Sequence, residues 1–215
     1  MGTKKNSMKI HWNGNVGGVV GFMWKGREAL RSMAQNVRQP NTEAQLAQRM
    51  RFTLVAHLIS SCRAMVNVGF KKVAAANQNS EYAQCMGYNI KNATTGTYPA
   101  ISIDYDQVLL SMGSLPSIFD PRATATQDHE VHLTWIDNSM LSGAAATDHL
   151  NVCIHNITTG DSVVLNSAAA RADTIGDVPY PALWAGDTAA VYVAFSNAND
   201  DCSDSFCVTH TLQLT

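Results

Sequence analysis

The residues best able to do chemistry are scattered along this chain, and their spacing argues against most reactions. His129 and His132 spell H-E-V-H, a pairing that suggests a metal. On a strand, however, residues three apart point to opposite faces, so these two imidazoles do not close on one ion. Residues 197–204 (NANDDCSD) cluster oxygen ligands as a calcium loop does, yet lack the D-x-D-x-D-G pattern and the closing Glu. Asx-rich hairpin loops of this kind form without metal. His149, His155 and His210 fall on different strand-like runs, where spacing does not show them converging. G-x-S-x-G, P-loop and G-x-G-x-x-G motifs are all missing. The glycine string 14–21 (GNVGGVVG) leads into a tryptophan-bearing strand and not into a helix N-terminus, so a phosphate cradle lacks its setting. No nucleophile, base and orienting group assemble from these residues. The expectation is a non-enzyme with no cofactor and no metal.

Charge is the feature that carries functional weight. Residues 1–75 hold 12 of the 15 Lys and Arg with only Glu28 and Glu43, a net +10. Residues 76–215 hold Lys91, Arg122 and Arg171 against the other 15 acids, a net −12. The formal −2 of the whole chain therefore hides a strongly polar molecule. Lys25, Arg27, Arg31, Arg38, Arg49, Arg51, Arg63, Lys71 and Lys72 are interleaved with Trp12, Trp24 and Phe52. Such a set suits a phosphate backbone with stacked bases, or the acidic surface of another copy. No helix-turn-helix, zinc finger or RNP motif accompanies it.

At 215 residues, 46% hydrophobic and 15% charged, the chain has the composition of a folded protein. No run of about 18 apolar residues exists to span a bilayer. The lysine-rich start has no apolar stretch behind it, which excludes a standard secretory signal, and Asn6 stands where myristoylation would want Ser or Thr. A virion or cytoplasmic location follows as the expectation, with surface export by another route left open. The five cysteines are odd in number and form no C-x-x-C. They read as reduced, partly buried thiols; the alternative is a Cys202–Cys207 pair across a hairpin in an oxidising compartment. The sequons at 92–94 and 156–158 carry no weight without secretion.

These residues need elements to position them. Alternation around Trp24, with Lys25-Gly26 as the turn, predicts a glycine-rich hairpin over residues 14–34; a helix over EALRSMAQ is the alternative. After Pro40, Thr42 and Gln45 spell a capping box, and Leu46, Met50, Leu54, Leu58, Cys62 and Met65 form a helical stripe. Gly69 is its stop, although VGFKKVAAA can extend the helix to about Ala76. A second helix is predicted from Ser80 to about Asn92. From Tyr98 onward, the β-branched runs ISIDY, QVLLS, EVHLTWID, HLNVCIHNIT, DSVVLNS, AAVYVAFSNA and FCVTHTLQL alternate with turn clusters. Strands without intervening helices predict an antiparallel sandwich. Val131, Leu133 and Trp135 share a face there, and Tyr192 is a candidate tyrosine corner. The fold class is thus α+β. A basic hairpin-plus-helix region, 1–97, is followed by an acidic immunoglobulin- or fibronectin III-like sandwich, 98–215.

The string WKGREALRSMAQNVRQPNTEAQLAQRMRF, with VGF at 68–70, YNIKNATTGTYP at 88–99 and IDYDQVLLSMGSLP at 103–116, resembles an uncharacterised family common in Bacteroidota and their phages. That family carries a W-K-G hairpin, an N-P-x-T-x-A-Q-x-x-Q-R helix start and a C-terminal immunoglobulin-like region. Trp24, Lys25, Gly26, Arg31, Thr42, Ala44, Gln45, Gln48, Arg49 and Phe52 fill the pattern, with Gln39-Pro40-Asn41 departing from it. The resemblance implies no activity. The functional expectation is a structural subunit, virion- or tail-associated or part of a surface filament, that associates head-to-tail as a homo-oligomer or larger assembly. Trp24, Lys25, Arg27, Arg31, Arg38, Arg49, Arg51 and Arg63 are its expected protein or polyanion contacts. The alternatives are nucleic-acid binding by the basic half, and glycan or protein capture by the sandwich, for which Trp184, Tyr180 and Tyr98 are the cue.

Overall fold

The computed structural model describes residues 2–3, 14–24, 27–33 and 41–215. It divides into two compact units, Met1–Asn41 and Thr42–Thr215. The first is a four-stranded antiparallel sheet of β1 (Gly2–Thr3), β2 (Gly14–Val16), β3 (Val19–Trp24) and β4 (Arg27–Ser32), ordered β1-β4-β3-β2. Gly17 and Gly18 both take positive φ between β2 and β3, as a two-residue hairpin turn demands. Trp24 pairs with Arg27, so the hairpin closes where the alternation placed it, and β4 replaces the alternative helix. Lys25, Gly26 and Arg38, named in the sequence reading, lie outside the described residues.

In the second unit, α1 (Glu43–Ser61) and α2 (Arg63–Gly69) meet at Cys62 with a bend of 87°. The Ser61 hydroxyl donates back to the Leu58 carbonyl at 2.9 Å, a bond that competes with the helical ladder and favours a bend there. The Thr42 side chain makes no cap bond; its carbonyl instead accepts from the Gln45 and Leu46 N–H groups. The capping box therefore fails, while the helix starts where it was expected. After α3 (Lys71–Ala76), α4 (Glu81–Asn92) opens on a genuine cap, with Ser80 Oγ accepting from the Ala83 N–H. Among the described residues no single helix is long and apolar enough to cross a membrane.

The small hairpin of β5 (Thr94–Thr97) and β6 (Ala100–Ile103) leads into seven further strands: β7 (Phe119–Ala125), β8 (Glu130–Ile136), β9 (His149–Asn156), β10 (Ser162–Ala170), β11 (Ile175–Pro179), β12 (Thr188–Ser196) and β13 (Phe206–Gln213). They form two antiparallel sheets, ordered β11-β8-β7 and β10-β9-β12-β13. Val131, Leu133 and Trp135 of the three-stranded sheet share one core with Leu150, Val152, Ile154, Val191, Val193 and Phe195 of the four-stranded sheet. The other face of the four-stranded sheet is buried too. There Cys153, Ala190, Tyr192 and Ala194 pack against Val55, Leu58, Ile59, Met65 and Phe70 of the helical layer. A strand buried on both sides reads as an apolar run without alternation, and AVYVAF is such a run.

This packing moves the expected boundary. The compact units part at 41/42, not at 97/98, because the helices cover the sheet instead of standing apart from it. QVLLS is not a strand. Its Leu109 N–H and carbonyl are both bonded by the buried Asn89 side chain, and Leu110 N–H donates to Ser205 Oγ. Side chains there satisfy the backbone in place of a ladder. Strands β7 and β11, which contain Pro121 and Gly176, were not expected. Tyr192 is no tyrosine corner, since its hydroxyl reaches the distant Tyr105 carbonyl at 2.9 Å across the helix-facing core.

Candidate functional site

In the first unit, one face of the sheet carries Val20, Phe22, Trp24, Arg27, Ala29 and Arg31, by the β3–β4 register. Arg31 stacks over the Phe22 ring at 5.8 Å, and Arg27 lies directly opposite Trp24. The other face carries Val16, Val19, Met23 and Leu30. Val16 is 64% exposed, Met23 48% and Trp24 52%. Among the described residues of this unit only Gly21 and Ala29 are buried. Sheets this small do not supply a core, and both faces keep apolar side chains in water.

The second unit separates its arginines. Arg49 and Arg51 stand about 200° apart around α1. Arg51 donates to the Gly96 carbonyl of the β5–β6 hairpin at 3.3 Å. Arg63, beyond the bend, lies over the Tyr82 ring at 5.4 Å. No single phosphate-tracking line joins these three. Gln45, Gln48, Arg49 and Phe52 instead line a shallow depression on the exposed side of α1. Lys71 and Lys72 pair with Asp200 and Asp201, so part of the basic half is matched by the chain's own acidic loop. That loop is closed internally as well: Asn197 Oδ1 accepts from the Asn199 and Asp201 N–H groups, and Asp204 accepts from the Gly113 N–H.

The aromatic cue for ligand capture is reduced. Tyr180 and Trp184 are buried in the sheet–sheet core, which leaves Tyr98, 41% exposed. His132 Nδ1 meets Asp177 at 2.6 Å, while His129 Nδ1 lies 2.9 Å from the terminal Thr215 carbonyl; the two histidines do not converge.

Sequence reasoning missed a buried polar knot between the helix bend and the sheet. Ser162 Oγ lies 3.2 Å from Cys62 Sγ, 2.9 Å from His155 Nδ1 and 2.9 Å from Ser61 Oγ. The Cys153 thiol, with His155 and Ser162, holds Cys62 below the ordinary thiol range, and Cys153 is pushed up in return. Its members come from the end of α1, the α1–α2 junction, β9 and β10, and only the bend brings Ser61 and Cys62 to strand positions 153, 155 and 162. Cys62 and Cys153 are fully buried and His155 nearly so, while Ser61 and Ser162 are half-buried. The knot ties layers together.

All five cysteines are unbridged, with Cys202 donating to the Val68 carbonyl at 3.4 Å. Burial pushes Cys202 up to about 11 and Cys85 higher still. In an unfolded chain both thiols ionise near pH 8.5. The native state thus retains protons that the unfolded state releases, so stability is full below about pH 8.5 and is lost as pH rises toward 11 and beyond. Urea midpoints under reducing conditions should fall between about pH 8 and pH 10, with a smaller drop in Cys202→Ser. A flat profile contradicts this reading.

Together the described residues define an α+β protein with a separate small β-sheet at its N-terminal end. The chain belongs to the family of unknown function DUF6266, whose model matches residues 10–207. No curated protein matches it significantly. Among solved structures it is similar to the fn3 domain of the human collagen α-1(XX) chain, at 14% identity and a TM-score of 0.36, over 49% of this chain and 93% of that domain.

Proposed function

We propose that this protein is a non-enzymatic assembly subunit whose N-terminal sheet docks on a neighbouring copy. The observation that carries the proposal is that sheet itself, whose described residues expose Val16 and Met23 on one face and bury only Gly21 and Ala29. A partner surface supplies the burial it lacks. Arg27 and Arg31 on its aromatic face suit an acidic acceptor, and residues 76–215 carry the net −12. Contact between unlike surfaces is heterologous and produces rings or filaments. The depression of Gln45, Gln48, Arg49 and Phe52 holds residues by which the chain resembles its family, and it offers a second contact outside the core. We also infer that β7–β13 are a fibronectin III-like sandwich, on their antiparallel three-plus-four arrangement. The setting that accords with the resemblance is a virion, a phage tail or a surface filament of Bacteroidota.

Light scattering at high protein concentration tests this. The wild-type chain is expected to form oligomers at about 0.1 M salt that dissociate toward 1 M, as the screening length shrinks from about 10 Å to about 3 Å. Arg27→Glu combined with Arg31→Glu should weaken them at low salt. A monodisperse monomer at low salt overturns the proposal. A second reading, polyanion binding, rests on the same face, where Arg31 stacks on Phe22 and Arg27 opposes Trp24. Salt-sensitive heparin retention by a strictly monomeric protein favours that reading.

A further inference from the structure

Cys207 and His210 lie three apart on β13, a spacing that puts side chains on opposite faces of a regular strand. This strand is not regular. Tyr192 of β12 pairs with Cys207, but its neighbour Val191 pairs with Thr209, so Val208 is an extra residue. That bulge reverses the alternation, and a second shift, where Ala189 pairs with Leu212 three residues beyond Thr209, reverses it back. Val208 and Leu212 pack into the sheet–sheet core, while Cys207 packs against the helix-side core. His210 shares the side of Cys207, where Nδ1 lies 2.7 Å from Asp106 Oδ1 in the single-turn helix Tyr105–Gln107. One donor atom each from Asp106, Cys207 and His210 falls within 4.8 Å of the others.

We propose that Asp106, Cys207 and His210 form a binding site for a divalent cation of the zinc class, with a water molecule as fourth ligand. The donor set carries the choice of metal. One thiolate, one imidazole and one carboxylate make a mixed sulfur, nitrogen and oxygen site, which suits zinc and disfavours magnesium or calcium. Ligands around a tetrahedral zinc stand about 3.3–3.7 Å apart, so the Asp106–His210 pair opens slightly from 2.7 Å on binding. All three side chains sit at the surface or only partly below it, and that leaves the ion an entry path and room for water. Binding displaces the Cys207 thiol proton to solvent, and His210 ligates through Nδ1 with its proton on Nε2.

The supporting shell is in place. Tyr192, buried on β12, is the cross-strand partner of Cys207. The Tyr192 hydroxyl also donates to the Tyr105 carbonyl, beside Asp106, and Asp104 Oδ1 accepts from the Asp106 N–H at 3.2 Å. One buried tyrosine therefore lies across from Cys207 and bonds the backbone beside Asp106.

Cobalt(II) titration of the full-length, reduced protein tests the site, with zinc competition to obtain affinity. The expected result is a single equivalent bound, with a thiolate-to-cobalt charge-transfer band and the strong d–d absorption of a tetrahedral ion. Loss of outer-shell partners weakens metal sites about 10–100-fold. Loss of a ligand should cost more, so Cys207→Ser and His210→Gln are each expected to lower zinc affinity by at least about 100-fold. Asp106→Asn, at an exposed position that leaves the fold intact, should lower it about 10-fold or more. A cobalt spectrum without the thiolate band overturns the proposal. So does a band that persists undiminished in Cys207→Ser while Cys202→Ser abolishes it.

Discussion

Replacing Arg171 by alanine is expected to cost about 3–5 kcal/mol of folding stability, among the largest single-residue effects in this protein. Arg171 is fully buried, although it is one of only three cations in the acidic two-thirds of the chain. Its Nε donates to Asp148 at 3.0 Å, its Nη1 to Asn138 at 2.5 Å and its Nη2 to the Pro116 carbonyl at 3.0 Å. The guanidinium plane also stacks on the Phe195 ring at 3.8 Å. Its backbone carbonyl accepts from Trp135 Nε1 at 2.8 Å, so one residue ties the loop before β7 and the β8–β9 loop to the central tryptophan. Alanine removes the stack and leaves a buried Asp148 carboxylate without its counter-charge. Charge abandonment, more than the lost attraction, is the expensive part. Arg171→Met combined with Asp148→Asn should therefore be milder than either single change. Equilibrium urea denaturation of the wild type and of each variant measures these differences. A loss below about 1 kcal/mol in Arg171→Ala contradicts the account.

Phe70→Ala is expected to cost a similar 3–5 kcal/mol and, more informatively, to do so in one step. Phe70 follows α2 and is buried in the cluster that joins the helices to Cys153, Ala190, Tyr192 and Ala194 of the central sheet. If the helical layer were a domain of its own, truncation there would melt helices first and leave the sandwich standing. The shared core requires the opposite. Far-ultraviolet circular dichroism, which reports the helices, and fluorescence, to which the buried Trp135 and Trp184 contribute, should shift together to lower denaturant. Separate transitions would restore the boundary at 97/98 that composition suggests.

Local patterns were legible wherever a residue answers to its near neighbours in sequence. The alternation around Trp24 located the β3–β4 hairpin, and Thr42 and Ser80 marked the helix starts, though only Ser80 caps with its side chain. EVHLTWID, HLNVCIHNIT and AAVYVAFSNA marked the strands now seen as β8, β9 and β12. QVLLS misled because its apolar content serves burial in a loop, where Asn89 completes the hydrogen bonding. Strand β7 stayed hidden because its pattern is weak, and its partner β8 organises it. The two titratable clusters were out of reach for a shared reason: each draws residues at least a hundred positions apart, Cys62 with Ser162 and Asp106 with His210.

The amino-acid order by itself determined the α+β composition, the glycine-turned hairpin, the main helix starts and the division of charge, because these follow from short-range periodicity and simple counting. Tertiary structure alone decided that the helices and the sheet share a core, that Arg171 is buried, that Tyr180 and Trp184 are hidden, and that Cys207 and His210 face the same way. The last case states the reason most clearly. Alternation along a strand holds only while each residue opposes one partner, and whether an extra residue is inserted depends on a neighbouring strand that local pattern does not contain.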